Sequence, residues 1–175
     1  DGHQSATDPV HNDIIYAETQ QGGLHRVDLT TGEPVLIQPQ PQEGDPFERF
    51  NWDAPILVSP HNPARLYFAS YRVWKSESRG DDWEPVSGDL TRNEERITLP
   101  IMGRQQSWDN AWDIGAMSNY NSITSFLQEQ MMDTFKYLKI ADSNGAKFLR
   151  VNLEYQVFLL LMILKPICLM KIQYT

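Results

Sequence analysis

The residues with the most chemistry to offer sit in three short loops. Phe50-Asn51-Trp52-Asp53-Ala54-Pro55 puts an indole beside an amide and a carboxylate. Asp1-Gly2-His3-Gln4-Ser5 offers a second carboxylate and an imidazole, and Trp108-Asp109-Asn110-Ala111-Trp112-Asp113 repeats the aromatic–acidic mix behind Arg104. A tryptophan flanked by carboxylates suits stacking on a sugar ring. Two carboxylates facing each other across a cleft can act as general acid and base on a glycosidic bond. Asp1 and Asp53 are the pair to nominate for that role. His3, Asn51, Trp52, Arg104 and Trp108 are the candidate ligand contacts. For Asp53 the competing structural role is to cap a turn, and for Trp52 it is to fill a packing interface. His3, His11, His25 and His61 have no metal-ligand spacing, and no metal or cofactor is expected. Neither a Ser-His-Asp constellation nor a phosphate-cradling glycine loop can be assembled.

The loops take their places from a repeat. Asp8-Pro9-Val10-His11-Asn12-Asp13-Ile14-Ile15-Tyr16 is echoed by Ser59-Pro60-His61-Asn62-Pro63-Ala64-Arg65-Leu66-Tyr67, and the two tyrosines lie 51 positions apart. Asp1 precedes Tyr16 by 15 positions and Trp52 precedes Tyr67 by 15, so both loops are expected on one face. Short strands surround each copy. Ile14–Ala17, Leu24–Leu29 and Val35–Ile37 alternate or are β-branched, with turns at Gln21-Gly22-Gly23 and Thr30–Glu33. Ile56–Val58, Leu66–Ala69, Arg72–Lys75 and Trp83–Val86 follow. A repeat of about 40–50 residues built from short strands marks a β-propeller blade or a similar array.

The stretch Ser76-Glu77-Ser78-Arg79-Gly80-Asp81-Asp82-Trp83 resembles the Asp box of BNR-repeat propellers. With the blade openings and Gly88-Asp89-Leu90-Thr91, residues 1–125 resemble BNR and sortilin-type propeller proteins of bacteria, many of them labelled glycosyl hydrolases by similarity to xyloglucanase-type enzymes. Ser78 stands where the motif has its aspartate, and Asp82 replaces the usual Thr or Ser. The resemblance implies an all-β fold, a fragment of a β-propeller with about two to three blades. It implies a structural turn in which Ser76 and its partner hold backbone N–H groups, Gly80 takes positive φ, and Trp83 packs between blades. It also implies a secreted or periplasmic setting. The function it implies is a module that recognises a protein or carbohydrate ligand without intact activity; the alternative is a glycoside hydrolase.

Composition divides the chain near residue 125. Residues 1–125 hold all five tryptophans, with nine Lys and Arg against nineteen Asp and Glu. Residues 126–175 hold six basic against four acidic residues, with one Gly145 and one Pro166. The tail is therefore atypical for the family. One reading of it is an out-of-frame translation. Joining the last base of each codon to the first two of the next forces Asp from Met131-Met132 and Gly from Met132-Asp133. Over Tyr137–Gly145 that frame permits a Ser-x-Asp-x-Gly-x-x-Trp signature. The alternatives are a divergent tail or a short helix over Ser125–Leu138.

The net charge of −8 argues against a nucleic-acid partner. The apolar run Val157–Leu164 is too short for a membrane span, which needs about 20 residues. Cys168 is the only cysteine, which excludes an intrachain disulfide.

Overall fold

The computed structural model describes residues 2–101, 103–115, 119–128, 135–142 and 145–149. They are mostly antiparallel sheet. Four strands in chain order make the first sheet: β1 (Gly2–Thr7), β2 (Ile14–Thr19), β3 (Leu24–Asp28) and β4 (Glu33–Leu36). The second sheet repeats the plan with β5 (Ile56–Val58), β6 (Leu66–Ala69), β7 (Val73–Ser76) and β8 (Glu84–Pro85). A two-residue pair, β9 (Pro100–Ile101) and β10 (Arg104–Gln105), precedes α1 (Ala111–Ile114), the one α-helix among the described residues. A third sheet joins β11 (Ser122–Gln128), β12 (Phe135–Asp142) and β13 (Gly145–Leu149).

The repeated sequence becomes a repeated turn. In the first copy the Asp8 carboxylate accepts from Val10 N and His11 N, both at 2.9 Å, and Asp8 N donates to Ile14 O at 3.0 Å. In the second the Ser59 hydroxyl accepts from His61 N and Asn62 N, both at 3.1 Å, and Ser59 N donates to Arg65 O at 2.9 Å. Every group in one set lies 51 positions from its counterpart. An oxygen on a short side chain satisfies N–H groups two and three residues on, which is why Asp and Ser both serve.

Alternation then decides the packing. Tyr16 and Leu24 of the first sheet meet Ile56, Leu66 and Phe68 of the second in one apolar cluster, with Phe50, Ala54 and Ile37 closing it. Tyr67, Ala69 and Val73 point to the other side of the second sheet, against Ile123 and Phe126 of β11. All four residues of β6 are buried, because that sheet is covered on both faces. The register puts Ser5, Ala17, His25 and Leu36 together with Thr7, Ile15, Val27 and Pro34 on the far face of the first sheet. None of these eight is fully buried.

Two expectations are corrected. The loop expected at Asp1–Ser5 is strand from Gly2 onward; the polar run Gly2–Thr7 has little apolar signal, and its ladder to β2 supplies the order. The helix entertained over Ser125–Leu138 is corrected at its described residues: Ser125–Gln128 ends β11 and Phe135–Leu138 begins β12, in a ladder paired from Ser122↔Ala141 to Gln128↔Phe135. There Ile123 and Phe126 pack on the second sheet, and Ile123 N donates to Ser70 O at 2.8 Å.

Candidate functional site

One end of the sheets gathers the start of β1, the β2–β3 turn, the segment from Glu48 to Pro55 and the β6–β7 turn at Ser70–Arg72. The register fixes this, since β1 and β5 both begin there and β2 and β6 both end there. The β2–β3 turn is tight: Gln21 and Gly22 have φ of 58° and 81°. A Cβ on Gly22 would fall 2.3 Å from the Phe50 ring, so only glycine lets the turn close over that ring.

Glu18, the last inward residue of β2, is the centre of this end. It is 1 % exposed. Its Oε1 accepts from Ala54 N at 2.6 Å and its Oε2 from Gln4 N at 3.4 Å, so one carboxyl ties β1 and the entry to β5 onto β2. Burial pushes its pKa up to about 7; the backbone N–H groups pull the other way, and the charge of Asp53 adds to the rise. Sequence reasoning passed over Glu18. The signal was present: period two puts it on the face of Tyr16, where a carboxylate must find donors.

Asp53 N donates to Asn51 Oδ1 at 3.1 Å, and Asp53 Oδ1 is buried without a hydrogen-bond partner among the described residues. Asn51 Nδ2 donates to Ser122 Oγ at 3.1 Å, which links this loop to β11. Trp52 is half-buried, and its carbonyl accepts from Gln21 N at 3.3 Å. His3 lies on β1, and Asp1 lies outside the described residues.

Beside this cluster a second carboxylate is fully engaged. Glu48 accepts from Ser70 Oγ, from Trp74 Nε1 at 2.8 Å and from Arg72 at 2.9 and 3.2 Å. The Arg72 guanidinium also reaches Asp45 at 2.6 Å and lies 4.3 Å from the Trp74 ring centre. Burial opposes its charge, but Glu48 and Asp45 outweigh burial and raise its pKa. Arg49 pairs with Asp89 at 2.7 Å and lies over the Tyr71 ring at 4.4 Å. These groups satisfy one another, which is the condition for burying charge without large cost.

The third candidate loop forms its own unit. Arg104 grips the buried carboxylate of Asp113 in a two-pronged ion pair, and Arg96 reaches the Asp113 carbonyl. Ser107 N donates to the same carboxylate at 2.9 Å. Arg104 therefore has a partner within the chain. Trp108 and Trp112 are left 68 % and 89 % exposed. The structure thus brings Asn51, Trp52 and Asp53 to one end with Glu18, and holds Arg104 and Trp108 on a separate clamp.

Among the described residues, no group of three or more His, Cys, Asp or Glu side chains has the arrangement to hold a metal ion. None of their helices is long and apolar enough to cross a membrane. No family model matches the chain, and no curated protein matches it either.

Proposed function

We propose that residues 1–125 are part of a β-propeller of the BNR/Asp-box, sortilin-type class, acting as a recognition module for a protein or glycan ligand. The observation that carries this reading is the order of the stack. The tyrosine face of the first sheet meets the Leu66–Phe68 face of the second, and the tyrosine face of the second meets β11. Sheets that repeat in sequence and pack by the same faces in the same order build propeller-like arrays. The turn from Ser76 to Trp83 adds support. Ser76 Oγ accepts from Ser78 N and Gly80 N, Gly80 has φ of 92°, and Trp83 reaches Ile37 O of the first sheet at 2.6 Å.

Recognition is favoured over turnover because Glu18 has both oxygens occupied by backbone donors. A carboxyl so held braces loops. The second reading, a glycoside hydrolase, draws on one observation: the buried Glu18 carboxyl, whose pKa burial raises, lies near enough to Asp53 for that charge to add to the rise. Two neighbouring carboxyls are the groups that acid–base cleavage of a glycosidic bond needs. Titrating the full chain with a panel of β-linked oligosaccharides, while assaying released reducing sugar, separates the two. Recognition predicts binding that Trp52→Ala weakens, with no sugar released. Hydrolysis predicts release that Asp53→Asn abolishes. Neither binding nor release across glycan and protein panels removes both.

A further inference from the structure

The outermost strand of the first sheet, β4, borders a groove distinct from the Glu18–Asp53 cluster, although Gln38 in its lining reaches the β2–β3 turn at Gln21 O. Ile37 N donates to Leu24 O at 2.9 Å, which fixes the ladder direction. In an antiparallel pair the direction alternates, so residues 33, 35 and 37 turn their backbone groups toward β3. Leu36 N–H and C=O, and the C=O of Pro34, face away from the sheet. Proline is tolerated at 34 because an N–H there would have had no ladder partner. Val35 and Leu36 are 47 % and 59 % exposed.

Beside this edge lies a groove of about 310 Å³ between the first sheet and the turn of the second, lined by Leu36, Ile37, Gln38, Asp81, Asp82 and Trp83 among others. Trp83 spends its N–H on Ile37 O, so it offers the groove only ring surface. The two charged lining residues are both acidic. Arg26 holds Asp81 at 2.9 Å; Asp82 is exposed and makes no ion pair among the described residues.

We propose that this groove binds an extended basic peptide by strand addition to β4. The peptide backbone pairs with Leu36 N–H and C=O and with Pro34 C=O. A lysine or arginine of the peptide sits against the Asp82 carboxylate, over the Trp83 ring. Charge selects the occupant: an acidic segment meets Asp82 unscreened, and the chain as a whole carries −8. Pro34 limits the ladder to a short stretch, so the side-chain contacts set specificity.

Fluorescence anisotropy of a labelled eight-residue peptide alternating lysine and valine, titrated with the full chain, is the test. Binding is expected to weaken at least tenfold in Asp82→Lys and to vanish when the peptide amides facing β4 are N-methylated. Leu36→Pro, which removes the outward N–H and no ladder bond, is expected to weaken binding with unchanged circular dichroism. Equal binding of a glutamate–valine peptide overturns the proposal, as does unchanged binding by Asp82→Lys. Displacement of the peptide by neutral oligosaccharide, or by self-association seen in sedimentation, also overturns it. Loss of glycan binding at the Trp52–Asp53 loop leaves this prediction standing, because that loop shares no residue with the groove, so the two readings fail separately.

Discussion

The first and second sheets share a strand plan and a turn, and they differ in what covers them. β6 is buried on both sides; its counterpart β2 is buried on one. Leu66 is wholly buried between sheets, while Ile15, 51 positions earlier, is half-buried on the far face. Asp8 and Ser59 make the same turn, but Asp8 also pairs with Arg79 of the second sheet at 3.0 Å. Backbone architecture thus repeats by local chemistry, whereas each copy's side chains answer to its neighbours. At Asp8 the turn acceptor carries a charge and also meets an arginine; at Ser59 a hydroxyl makes the same turn.

Truncating the paired positions should have the largest effect. Leu66→Ala should cost about 3 kcal/mol or more, since a cavity opens between two sheets that cannot easily collapse. Ile15→Ala should cost about 1 kcal/mol, because solvent already reaches that face. Urea denaturation of the two variants checks this, and equal losses would mean that the far face is as covered as the near one.

The turns come next. Asp8→Ala leaves Arg79 without its carboxylate and two backbone N–H groups without an acceptor, for a loss of about 2–3 kcal/mol. Ser59→Ala removes a neutral acceptor and should cost about 1 kcal/mol. Asp8 also brings a pH signature. Burial raises its pKa, but His11 N, Val10 N and Arg79 together outweigh burial and lower it. An acid whose folded pKa is lowered stabilises the fold above its unfolded value near 3.8 and loses that contribution as pH falls below it. Asp8→Asn should therefore blunt acid unfolding, while Ser59→Ala leaves its midpoint slope unchanged.

Glu18 gives a pH effect of the opposite sign to that of Asp8. Its folded pKa, near 7, exceeds the ordinary 4.5. The unfolded chain then releases this proton first, so stability falls as pH rises from about 4.5 to about 7. Glu18→Gln should flatten that segment of the stability–pH curve, at the cost of one backbone contact. A wild-type curve with no decline across that range would show that the carboxylate is as well solvated by its N–H donors as by water.

Much of the strand order was legible in advance because it rests on local chemistry. Alternating β-branched and aromatic residues, glycine-bearing turns and the Asp8/Ser59 echo each act over a few residues. Gly2–Thr7 was missed because a polar strand is specified by its partner's ladder. Ser125–Gln128 was open to a helical reading because a short apolar run has no decisive period; contact of Ile123 and Phe126 with the second sheet made it strand. At the candidate site, Trp52 and Asp53 stood out by residue type. Glu18 did not, since its role depends on Ala54 N arriving from 36 residues away.

The sequence alone determined where this protein turns and which residues alternate, because hydrogen bonds within four residues and the two-residue pleat need no distant information. Which face of each sheet is covered, which carboxylates are paired and which edge is open came from packing between segments. Those outcomes depend on desolvation and charge pairing between segments far apart in the chain, and no local pattern encodes the distance between them.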